Sequence, residues 1–90
     1  MLDIRTAIAQ GAEILASAGI AEPRLTAQVL LAHALRRDRT YLYAHPEEPL
    51  STVAWIHFGR YLHERTQGKP LQHILKSLEF YGRRFRVTPD

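Results

Sequence analysis

A small, mainly α fold, a bundle of four or five short helices followed by a C-terminal β-hairpin, is what this sequence predicts. Three observations point there. Apolar residues recur at 3.6-residue spacing through the first 67 positions, good cap residues punctuate them, and the pattern changes to strict alternation only after Leu78. With 90 residues, 46% of them hydrophobic, the chain can bury a modest core and is not disordered by composition.

The first helix is expected from about Asp3 to Ala18, with Ile4, Ala7, Ile8, Gly11, Leu15 and Ala18 on its inner stripe. Asp3 can cap its first turn, and Gly19 suits a left-handed closing residue. Pro23 opens a second helix whose buried face is Ala27, Leu30, Leu31, Ala34 and Leu35, and Arg36 and Arg37 end it favourably for the dipole. Asp38 should cap a short helix over Arg39–Ala44 that gives Tyr41 and Leu42 to the core.

Two prolines exclude helix from His45-Pro46-Glu47-Glu48-Pro49, and Glu47 and Glu48 read as a solvated turn rather than an acid/base pair. Ser51 then caps a longer helix to about Gln67, with Trp55, Phe58 and Leu62 as its inner ridge. Gly68 stops it, and Lys69-Pro70 begins a last short helix through Leu75.

The alternating tail pairs Phe80 with Phe85 and Leu78 with Val87 around a Gly82-Arg83 turn. One hairpin face is then apolar, and the other carries Glu79, Tyr81, Arg84 and Arg86. An isolated hairpin is marginal in water, so this one is expected to lean on sequence beyond Asp90. The expected organisation is a helical body over residues 1–76 and a hairpin linker over 77–90.

Composition also excludes chemistry. There is no cysteine, which suits a reducing cytoplasm and removes thiolate ligands and nucleophiles. The five glycines stand singly, so no glycine-rich loop cradles a phosphate. The five histidines show no i, i+4 pair, so no metal site is expected. The longest apolar run, about Val29–Ala32, is far short of the ~20 residues that span a bilayer, and polar residues interrupt the N-terminus too often for a signal peptide. A soluble chain without its own catalytic machinery is the expectation. The net charge of +3 is lopsided: residues 1–35 sum to −1 and residues 65–86 to +5, which favours an acidic partner.

Four stretches carry a resemblance. They are Arg24-Leu25-Thr26-Ala27-Gln28-Val29-Leu30-Leu31-Ala32-His33, Asp38-Arg39-Thr40-Tyr41-Leu42-Tyr43-Ala44-His45-Pro46-Glu47, Gly68-Lys69-Pro70-Leu71-Gln72-His73-Ile74-Leu75, and Glu79-Phe80-Tyr81-Gly82-Arg83-Arg84-Phe85-Arg86-Val87-Thr88-Pro89-Asp90. In order and spacing they resemble the N-terminal domain of the HemK/PrmC family, methyltransferases that modify a glutamine in bacterial class-1 peptide chain release factors. The resemblance implies a helical substrate-binding domain joined by a hairpin to a catalytic domain. That second domain would hold S-adenosylmethionine and an Asn-Pro-Pro-Tyr motif, and this chain contains neither. It further implies that the present domain orients the release factor so that the glutamine of its Gly-Gly-Gln loop reaches the catalytic pocket.

Two positions depart from the family's pattern. Lys76 stands where it usually has glycine, and Arg36-Arg37 replaces a glycine-containing turn. No catalytic, cofactor or metal residue is assigned within this chain. The candidates for contact with substrate or catalytic domain are Tyr81, Arg83, Arg84 and Arg86, with Arg24 and Arg60 as further exposed cations. The expected partners are a release factor and the chain's own catalytic domain, the expected state is a monomer in the cytoplasm, and no membrane is involved. Two other classes stay open: a small basic helical nucleic-acid binder, whose affinity would fall steeply with salt, and an interaction module of another enzyme.

Overall fold

The computed structural model describes residues 2–75. They form four helices, α1 (Ile4–Ser17), α2 (Pro23–Leu35), α3 (Arg39–Ala44) and α4 (Thr52–Thr66), and a last helical turn over 71–75, α5. The hairpin expected over 77–90 and the Lys76 departure lie outside the described residues. Among the described residues no strand occurs, only one antiparallel bridge between Asp3 and Pro49.

The starts of α1, α3 and α4 have the side-chain caps their sequences offer, whereas α2 begins at a left-handed Glu22, φ +51°, with Pro23 following and no side-chain cap. The Asp3 carboxylate accepts from the Thr6 N–H at 2.8 Å, Asp38 from the Tyr41 N–H at 3.0 Å, and the Ser51 hydroxyl from the Ala54 N–H at 3.1 Å. Hydrogen bonding by Thr6 holds the Asp3 carboxyl below its ordinary value. The first turn of α1 gains further acceptors from the proline loop: Ile4 N–H donates to the Glu48 carbonyl at 3.0 Å and Arg5 N–H to that of Pro46 at 2.9 Å. Leu50 N–H donates in turn to the Leu2 carbonyl at 2.8 Å. The loop is therefore a fixed brace rather than a free connection.

Three helices end in the same way. In each, a 6→1 backbone bond closes over a 5→2 bond around one left-handed residue. For α1 these are Ile20 N–H to Leu15 and Gly19 N–H to Ala16, both 3.0 Å; for α4 they are Lys69 to Glu64 at 3.2 Å and Gly68 to Arg65 at 3.1 Å. Gly19 and Gly68 have φ of +79° and +101°, which glycine adopts without penalty. For α2 the bonds are Arg37 to Ala32 at 2.9 Å and Arg36 to His33 at 3.1 Å, but the left-handed residue is Arg36, at φ +59°. A side chain there costs roughly 1–2 kcal/mol.

α2 lies at the centre, packed against α1, α3 and α4. That placement widens its buried face beyond the expected stripe: Thr26, Gln28 and Ala32 are buried as well, while Ala34 and Leu35 are only half-buried. α1 buries Ile4, Ala7, Ile8, Gly11 and Leu15, but Ala18 is exposed because the helix has already ended there. The ridge of α4 also differs. Its buried residues are Ala54, Phe58, Tyr61 and Leu62, an i, i+4, i+7, i+8 set, whereas Trp55 is 39% exposed. Trp55 sits one step round the helix, tilted against Phe58 with ring centroids 6.2 Å apart, so it covers the core edge rather than filling it. Phe58 is fully buried and approaches α1 at Gly11, where an added Cβ would fall 2.7 Å from Phe58 Cζ. Glycine is thus what lets α4 close on α1. Ile74, on α5, is 1% exposed and joins the same core.

Candidate functional site

The richest concentration of polar and aromatic groups among the described residues is the corner where α2 turns into α3. α3 has only six residues, and its i, i+4 pairs divide it into two decorated sides. On one, Arg39 and Tyr43 meet, with Arg39 Nη2 donating to the Tyr43 hydroxyl oxygen at 3.1 Å. Both converge on Gln28 of α2. Its Oε1 accepts from Tyr43 at 3.1 Å and from Arg39 at 3.5 Å. Gln28 is buried, so a core residue fixes two exposed side chains.

On the other side, Tyr41 stacks on His45 with centroids 4.1 Å apart, and Arg37 sits 4.7 Å from the Tyr41 ring centroid. The Tyr41 hydroxyl donates to Glu48 Oε1. That bond, with burial second, raises the Tyr41 phenol above its ordinary value. Glu48 is consequently half-buried and engaged, not the solvated turn residue its sequence context suggested; Glu47 is exposed as expected. Further along, Arg36 adjoins Tyr61 of α4, whose phenol is raised by burial while Arg60 and Arg36 oppose the shift.

The corner therefore presents Arg36, Arg37 and Arg39 within four residues, all exposed. Each engages only neutral groups or none. Among the described residues the one ion pair is Lys69–Glu64, at 4.0 Å and far along α4. Asp38, between the arginines, has its carboxylate committed to capping α3. A second surface lies at the start of α4, where Val53 and Ile56 are 63% and 62% exposed beside Trp55.

Of the site residues read from the sequence, Tyr81, Arg83, Arg84 and Arg86 lie outside the described residues. Arg24 and Arg60 are exposed, on different helices. No group of three His, Asp or Glu among the described residues could hold a metal ion, and no helix of the described residues is long and apolar enough to cross a membrane. Sequence reasoning did not single out Gln28, Arg37, Arg39 or Tyr43 as site residues. The available signal was the pair of i, i+4 spacings, Arg39/Tyr43 and Tyr41/His45, on a helix too short to serve as scaffold alone.

Comparison with known proteins places this architecture. The family model of the PrmC N-terminal domain matches residues 6–75, which run from the first turn of α1 to the end of α5 and contain the α2–α3 corner. The chain belongs to the PrmC N-terminal domain family. Curated relatives of this PrmC N-terminal domain agree. The release factor glutamine methyltransferase of Koribacter versatilis is 39% identical over 75 residues, covering 83% of this chain and 27% of that protein. That of Moorella thermoacetica is 36% identical over 88 residues, covering 98% and 31%. A bifunctional methyltransferase of Rickettsia bellii is 37% identical over 79 residues, covering 88% and 14%. The chain thus spans less than a third of the length of these relatives. No solved structure matches it.

Proposed function

We propose that this chain is the substrate-recognition domain of a protein-glutamine methyltransferase that methylates the glutamine of the Gly-Gly-Gln loop of class-1 peptide chain release factors. The observation that carries this reading is the family match over residues 6–75, joined to relatives whose names specify a release factor as substrate. The described residues do not fit S-adenosylmethionine. Their glycines stand singly, Gly11 is filled by Phe58, and none lies in a turn between strand and helix. On this reading the cofactor and the methyl transfer belong to a separate catalytic domain. The work of the present domain is orientation: fixing a protein substrate makes delivery of its loop to the reaction centre effectively intramolecular. Tyr81, Arg83, Arg84 and Arg86 are the proposed contacts toward substrate or catalytic domain, within a cytoplasmic monomer.

The test compares the full-length enzyme with a form lacking residues 1–75. Loss of the domain should raise KM for the intact release factor about tenfold or more, while kcat on a short Gly-Gly-Gln peptide stays unchanged. An unchanged KM for the intact factor overturns the reading. So does methylation of the factor by this chain alone.

A further inference from the structure

We infer that the α2–α3 corner, through Arg36, Arg37 and Arg39, is a docking surface for a carboxylate-rich face of the protein substrate. The inference rests on the proposed function and adds to it the site and the chemistry of contact. Four observations carry it. First, α1, α2 and α4 close with the same pair of backbone bonds, yet only α2 places a side chain on the left-handed residue. Backbone strain retained at a position where glycine serves two neighbouring helices marks a side chain kept for another purpose, and here that side chain is an exposed guanidinium.

Second, Arg37 and Arg39 are positioned by neutral groups, the Tyr41 ring, the Tyr43 hydroxyl and the Gln28 amide. Their geometry is set while their charge is left uncompensated. Guanidinium groups prepared in this way suit bidentate capture of carboxylates at reduced entropic cost. Third, no carboxylate among the described residues pairs with any of the three. Fourth, the aromatic ring beside Arg37 favours protein over nucleic acid. The Tyr41 ring is already engaged by Arg37 and His45, so it offers no ready platform for a base.

The experiment uses the full-length enzyme carrying Arg37→Glu with Arg39→Glu, and separately Arg36→Gly. The double variant should raise KM for the release factor about tenfold at low salt, with the difference shrinking as salt rises and kcat on a short Gly-Gly-Gln peptide unchanged. Arg36→Gly removes the strain together with the charge, so it should melt about 4 °C higher yet still show a raised KM. A weaker interaction in a more stable protein cannot come from misfolding. If both variants keep the original KM while deletion of residues 1–75 raises it, the inference fails and the proposed function stands. If the deletion has no effect either, both fail. A single-stranded RNA oligonucleotide that binds through these arginines, with the release factor indifferent to them, would overturn the inference in favour of a nucleic-acid surface.

Discussion

The contact of α1 with α4 and the corner of α2 with α3 are held by opposite means. At the first, Phe58 presses into the space left by Gly11, surrounded by Leu15, Ala27, Leu30 and other residues almost wholly removed from water. At the second, half-buried Tyr41, exposed Tyr43 and exposed arginines are tied by hydrogen bonds and ring contacts over a left-handed residue. Burial of a phenylalanine contributes roughly 1.5–3 kcal/mol, whereas exposed polar contacts contribute about 1 kcal/mol or less each. Stability should therefore reside in the first region, and the second is free to be shaped by recognition.

Substitutions can break or sharpen that contrast. Phe58→Ala should cost about 3–5 kcal/mol, enough to unfold much of the population of so small a domain in a denaturant titration. Gly11→Ala should be the next most damaging. A helix interior normally gains up to about 1 kcal/mol from this change, but an alanine Cβ 2.7 Å from Phe58 Cζ forces the ring or the helix to shift. The net result should be a loss of about 1 kcal/mol. Gly59→Ala is the matched control: nothing lies within 4 Å of its added Cβ, so the melting temperature should rise. In the corner, Asp38→Ala removes the α3 cap and should cost about 1 kcal/mol, with the loss of amide protection confined to α3 and the residues it touches.

The smallest effect expected is on acidity. Because the Asp3 carboxyl is held below its ordinary value near 3.8, its ionised form favours the folded state. That contribution is complete above the ordinary value and disappears as pH falls through the lower folded value. Asp3→Asn should keep the cap and flatten this acid limb in a melting-temperature profile, and an unchanged limb would rule Asp3 out as its source.

Much of the helical architecture was legible because caps and stops are local. Asp3, Asp38 and Ser51 accept the backbone bonds their positions suggested, and Gly19 and Gly68 take positive φ. What was not legible depends on neighbours distant in sequence. The buried breadth of α2 follows from having helices on several sides, and the exposure of Trp55 from which residues of α4 meet α2 and α1. The engagement of Glu48 needed Tyr41 brought alongside by the proline loop. The corner needed Gln28, a residue that the α2 periodicity alone gave no reason to expect inside. The hairpin residues read as candidates, Tyr81, Arg83, Arg84 and Arg86, fall outside the described residues, and the corner is a separate surface from them in the sequence.

The bridging of Asp3 to Pro49 has a consequence for assembly of the chain. The opening amides of α1 find their acceptors at Pro46 and Glu48, far along the sequence, so that turn completes only after a large segment has been closed into a ring. Ring closure of that size is entropically slow to reward, which places it late in folding. Ile4 and Arg5 should accordingly mature after the middle of α1, and an N-terminal extension added for purification would disturb the order of events before it disturbed the final structure.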